Sequence, residues 1–346
     1  MLTDTWYSVL AAAGCIFAAV LFAAALKRRH LRPLFALPFM AVSLLMALIM
    51  GKAFYLVFNS EPLSSDGWLA GIIRLQPSEF SFTGFLAGAS LGVALAALLW
   101  RTPVLKTLDC FAIPCCILAA FIRFAEVFSG DLGLAEMATF GLEEISETSS
   151  LAFFPLAVRD QWDQWLLALS TLEALCAILT AVLVLFLGSG SRRRKNAQCD
   201  GILFETALFT LCTCGFFFET AKISGGVFYY VHVEQLFSAL VMLFLIIRLC
   251  MRLSRMQKRL PWLPLGLFFF FVAVNGFSQY FLDKAWRFSD LFPETVFEWL
   301  SDHLGQVCYA VMLMTAVCVF FLYLFSCRRT AVRSSVRRSP DNSSES

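Results

Sequence analysis

The chain has 346 residues, of which 59% are hydrophobic and only 15% charged, with a net charge of +2. A composition this apolar excludes an ordinary soluble domain, and the placing of Lys and Arg follows membrane topology rather than a nucleic-acid stripe. What remains is a polytopic membrane protein.

Apolar runs of about 20 residues, enough to cross a hydrocarbon core about 30 Å thick, begin near Trp6, Leu34, Ser81, Leu108, Trp165, Gly201, Val227, Leu263 and Gly305. They predict nine spanning helices in an all-α protein. The first run is preceded by Asp4 and no Lys or Arg, so it lacks the positive start of a cleaved signal peptide and is expected to be retained. Ala12-Ala13-Gly14-Cys15 within it reads as small residues for tight helix packing.

The connections Lys27 to Arg32, Arg101 to Lys106, Arg192 to Lys195 and Arg248 to Arg259, with the tail Arg328 to Arg338, hold 20 of the 27 Lys and Arg residues. They alternate onto one side, which the positive-inside rule makes cytoplasmic. The N-terminus is thus expected outside and the C-terminus inside. The long connection between the fourth and fifth spans, residues 129–164, is acidic and reads as a solvated outer surface, with room for a short amphipathic helix. The C-terminal residues, rich in Ser and Arg, cannot bury a core and read as a disordered cytoplasmic tail, residues 329–346. Most of the 12 cysteines lie inside apolar spans, where they serve as small buried hydrophobes; their spacing suits neither a disulfide framework nor a metal site.

Charges within the spans are the informative exceptions, because an ionisable group in hydrocarbon is costly and marks a functional interior. Arg123 lies 15 residues beyond Leu108 on an inside-to-outside helix, roughly 22 Å from its cytoplasmic end at about 1.5 Å per residue. Glu126 is one turn higher on the same face. Counting along their own spans puts Lys52, Glu173 and Glu219 in the outer half too, and only Glu205 near the inner side. Five charges from four helices are expected to share one depth. A buried guanidinium there offers two parallel donors to a phosphate, and a phospholipid headgroup is the phosphate found at that depth.

Trp6-Tyr7, Gly51-Lys52, Ser81 to Gly88, Arg123, Glu173 and Glu219 follow one another in an order that resembles the prolipoprotein diacylglyceryl transferase family. Trp6-Tyr7 is similar to its W-Y-G start, Gly51-Lys52-Ala53-Phe54-Tyr55 to G-[RK]-x-x-Y, and Ser81-Phe82-Thr83-Gly84-Phe85-Leu86-Ala87-Gly88 to S-x-H-G-G-L-x-G. The segment from Ile122 through Arg123 and Glu126 to Asp131 resembles the signature G-R-x-G-N-F-x-N-x-E. Leu172-Glu173, Asp200-Gly201-Ile202-Leu203-Phe204, Glu219 and Gln235-Leu236 resemble later family positions in order.

The resemblance implies a seven-helix core, residues 1–256, that takes phosphatidylglycerol from the membrane and transfers its diacylglyceryl group to the cysteine of a prolipoprotein signal peptide, in a bacterial inner membrane and without a cofactor. Two further spans, residues 257–328, exceed that body. Arg123 would grip the phosphate, with Glu126 or Glu173 as the base. Tyr7, Lys52, Thr83, Gly84, Asp131 and Glu219 would line the lipid site. The chain departs from the pattern at four places: Thr83 stands for the family's His, Glu126 for its Asn, Gly215 for a second Arg and Leu211 for a Tyr. Threonine has no basic lone pair near neutral pH. A paralogue that binds phospholipid or precursor without the reaction is the alternative expectation.

Overall fold

The computed structural model describes residues 2–58, 80–129, 137–138, 145–147, 149–159, 163–191, 200–222, 227–228, 231–257, 262–284 and 294–336. Nine long helices carry the fold among them: α1 (Leu2–Arg28), α2 (Ala36–Phe58), α3 (Phe82–Leu99), α4 (Val104–Glu126), α5 (Leu169–Ser191), α6 (Ile202–Glu219), α7 (Val233–Gln257), α8 (Trp262–Asp283) and α9 (Glu294–Val336). All nine are long and apolar enough to span a membrane. The spans read from hydropathy are therefore present, with their ends corrected by local chemistry.

Those ends are set by the residues that cannot continue a helix. Pro33 opens the short 3₁₀ turn before α2, Pro103 occupies the N-cap of α4, and Ser81 caps α3 by accepting a hydrogen bond from the Gly84 amide at 2.9 Å. Gly201 precedes α6 at φ 91°, a left-handed conformation that glycine adopts without a Cβ penalty. Asp109, one helix away, accepts from the Gly201 and Phe204 amides at 2.9 and 3.1 Å and supplies the anion that the positive end of α6 favours.

Packing is tightest between α2 and α3. Gly84, Gly88 and Gly92 recur every four residues, one above another on the face turned to α2, and a Cβ at Gly84 or Gly92 would come within 2.8 Å of Met50 O or 2.6 Å of the Ser43 Cα. The two backbones meet through this small-residue stripe, as helices do in lipid, where no hydrophobic drive separates one apolar surface from another. Ser43 Oγ adds a hydrogen bond to Ala89 O at 2.9 Å. Gly14 does the same for α1, lying against Phe121 of α4.

The last two helices are built into the bundle. Tyr323 of α9 stacks on Phe209 of α6 at 3.9 Å between centroids, and Phe268 and Phe271 of α8 join Phe209, Phe216, Met242 and Tyr323 in one buried cluster. Asn275 on α8 donates to Thr315 on α9 at 3.1 Å. Helix α9 continues to Val336, past the point where composition places the start of a disordered tail; residues 337–346 lie outside the described residues.

Three features differ from the hydropathy reading. The Trp165 run starts with a strand, β3 (Trp165–Ala168), which pairs antiparallel with β1 (Met137–Ala138) and β2 (Ala157–Arg159). The described part of the acidic connection is therefore a small sheet rather than an amphipathic helix. The Val227 run likewise opens with a hairpin, β4 (Val227–Phe228) and β5 (Val231–His232), before α7 begins. Both sheets border the same end of the bundle, where α4 and α6 finish and α5 and α7 start.

Candidate lipid site at one end of the bundle

Arg123 lies near the C-terminal end of α4 and is only 4% exposed. Its Nη1 donates to Glu126 Oε2 at 2.7 Å, one turn on, and its Nε is in contact with the Glu173 carboxylate at the start of α5. The face of the guanidinium covers the Phe82 ring at 3.9 Å. Two carboxylates and one aromatic face thus hold a single cation, an arrangement that compensates for taking it out of water. Tyr7 of α1 sits within electrostatic reach of both Arg123 and Glu126.

Phe82 carries the geometry onward, because the next residue, Thr83, is bound from α7. The Thr83 amide donates to Glu234 Oε2 at 3.0 Å, and its hydroxyl lies 3.4 Å from Ser238 Oγ. Ser238 also faces Gly215 of α6, where a Cβ would find Ser238 Oγ 3.8 Å away as its nearest described neighbour. Thr83 and Gly215 therefore both lie against one hydroxyl, that of Ser238. Gln235, next to Glu234, is 1% exposed, and neither end of its amide has a partner among the described residues.

Glu219 closes the cluster at the last residue of α6. It accepts from Lys222 Nζ at 2.9 Å, and its second oxygen is 4.0 Å from His232 Nδ1 on β5. Glu234 and Glu173 both act on it electrostatically. Burial and the nearby Lys222 charge hold His232 below the ordinary histidine range.

Of the residues singled out from sequence, Arg123, Glu126 and Glu173 are in direct contact, and Glu219, Thr83 and Tyr7 belong to the surrounding polar cluster. Lys52 is buried on α2, near the N-terminus of α3, over the rings of Tyr55 and Phe80 at 5.8 and 5.7 Å. Gly84 joins α3 to α2 and donates its amide to the Ser81 cap. Asp131 lies outside the described residues.

Lys222, His232, Glu234 and Ser238 were missed. The first three sit at helix ends and on a two-residue strand, where a charge reads as a solvated turn. The one signal available was the pair Glu234 and Ser238, four apart and so on one helical face, in a segment otherwise apolar.

The opposite end of the bundle holds a second charged group of a different kind. Glu205, which the sequence places on the inner side, takes a bidentate hydrogen bond from Arg252 at 2.6 and 2.8 Å and an ion pair from Arg248 at 2.6 Å.

A family model described as prolipoprotein diacylglyceryl transferase matches residues 2–323, nearly the whole chain. The match takes in α8 and most of α9 as well as the helices that carry the cluster. No curated protein matches the chain.

Proposed function

From the chain's membership of the prolipoprotein diacylglyceryl transferase family, we propose that it moves the diacylglyceryl group of phosphatidylglycerol to the cysteine of a prolipoprotein signal peptide, in the bacterial inner membrane. The observation that carries this reading is the buried Arg123, held at one end of a spanning bundle by Glu126 and Glu173. By the distribution of Lys and Arg, that end faces the outer leaflet.

Phosphatidylglycerol brings one phosphodiester, and Arg123 is the group suited to grip it. A guanidinium binds two phosphate oxygens in parallel and stays charged in a poor dielectric. Before lipid enters, Glu126 and Glu173 act as counter-ions; the phosphate takes over one of their places. As the C–O bond to the diacylglyceryl carbon breaks, charge grows on the departing glycerol phosphate. Arg123 then stabilises the transition state more than the ground state, which is what accelerates the step. In this reading Tyr7, Lys52, Thr83, Gly84 and Glu219 line the lipid site around Arg123.

A second reading, a paralogue that binds phospholipid or precursor without the transfer, is favoured by one observation: Arg123 already carries two carboxylates. The full chain in phosphatidylglycerol vesicles with a lipobox peptide separates the two. Thioether-linked peptide, seen by mass spectrometry and reduced about 100-fold or more in Arg123→Lys, supports the transferase. Lipid binding with unmodified peptide supports the second reading.

A further inference from the structure

We propose that His232, positioned by Glu219, is the base that takes the proton of the acceptor thiol. The assignment rests on the transferase reading above and names a residue for its least provided step. The thiol S–H gives its proton to His232 Nε2. The sulfur then attacks the diacylglyceryl carbon, forming C–S, while the C–O bond to phosphate breaks and its electron pair leaves with glycerol phosphate. The proton on the imidazole passes to water or to the departing phosphate. No oxidant or further reactant is needed.

The geometry singles out this ring. Every described carboxylate of the cluster is already engaged: Glu126 and Glu173 by Arg123, Glu234 by the Thr83 amide, Glu219 by Lys222. The chain has three histidines. His30 lies at the other end, in the turn between α1 and α2, and His303 is on α9 beside Leu304, which packs against Phe281 and Met312. Among the described contacts, His232 is the histidine set beside a carboxylate of the cluster. Its side chain is 13% exposed, and its Nδ1 is buried with no hydrogen-bond partner among the described residues.

The nearest carboxylate oxygen, on Glu219, is 4.0 Å away. A small closure on substrate makes that contact a hydrogen bond, as catalytic contacts tighten in the loaded site. With Nδ1–H donated to Glu219, the lone pair is fixed on Nε2, the tautomer a base requires. Among the described residues, the charged groups facing the ring are Glu219 and Lys222, from the end of α6, and its own strand β5 pairs with β4.

The test uses the full chain in phosphatidylglycerol vesicles with a lipobox peptide, across pH 5 to 8. Wild-type kcat is expected to fall in acid as His232 protonates. His232→Gln is expected to lower kcat by about 100-fold to 10,000-fold, the range for loss of a general base, with KM for the lipid within about threefold. Added imidazole is expected to restore part of the activity of His232→Gly, which a purely structural histidine would not allow. Wild-type product together with an undiminished His232→Gln, or a loss that leaves the acid limb in place and does not respond to imidazole, overturns the assignment alone. Absence of wild-type product overturns the transferase reading and this assignment together.

Discussion

The bundle carries buried charge at both ends, and the two groups are balanced differently. Around Glu205, one carboxylate meets two guanidiniums that remain 20–30% exposed, and both of its oxygens are taken at 2.6 to 2.8 Å. Asp109 beside it is likewise committed, to two amides of the α6 N-terminus. Around Arg123, a cation only 4% exposed is shared by two carboxylates, and a histidine nitrogen and a glutamine amide nearby find no partner among the described residues. The guanidiniums of the first group are partly exposed; that of the second is sealed among helices. The Glu205 group behaves as a fastener between α6 and α7; the Arg123 group is the proposed lipid site, holding its own counter-ions until something displaces them.

Substitutions that treat the two ends alike break this contrast most visibly. Arg123→Lys keeps the charge but loses the planar fork, and transfer is expected to drop about 100-fold or more while the helices stay assembled. Glu205→Gln is expected to do the reverse. It leaves two arginines without their shared carboxylate and lowers stability by about 1–3 kcal/mol, read as a lower melting temperature in detergent, with activity per folded molecule unchanged. A large loss of activity at matched folding in Glu205→Gln would show that the inner group is not merely a fastener.

A smaller and more telling effect is expected at Glu126. Glu126→Asn removes one of the two carboxylates competing with lipid phosphate for Arg123. Affinity for phosphatidylglycerol is expected to rise about tenfold, equivalent to about 1.4 kcal/mol, in vesicle titrations. An unchanged affinity would mean that phosphate does not replace Glu126 on the guanidinium. The smallest effect concerns Gly215, whose missing side chain opens toward Ser238. Gly215→Ala is expected to be tolerated within about 0.5 kcal/mol, because the new methyl stands 3.8 Å from Ser238 Oγ in ordinary contact. Gly88→Ala, a single methyl against the α2 backbone, is expected to be far worse and so to separate packing glycines from the open one.

Much of this was legible in the chain itself, for identifiable reasons. Nine spans follow from hydropathy because lipid forces each crossing to be a helix of fixed length. The meeting of Arg123, Glu126 and Glu173 followed from depth and from the three-residue spacing of the first two. The hairpin before α7 and the strand at Trp165 were hidden because Trp165-Leu166-Leu167-Ala168 is as apolar as the helix it joins, so hydropathy shows no seam. His232 was hidden for another reason: two residues ahead of Glu234, it looks like a solvated turn, and only the fold sets it beside Glu219.

The central claim is that Arg123 exchanges a carboxylate for a lipid phosphate. It is tested most directly by a high-resolution structure of the full chain in a phosphatidylglycerol bilayer. The account expects a phosphodiester on the Arg123 guanidinium at about 2.8 Å, with Glu126 or Glu173 moved off it. Phosphatidylglycerol bound elsewhere, with both carboxylates still on Arg123, would contradict it.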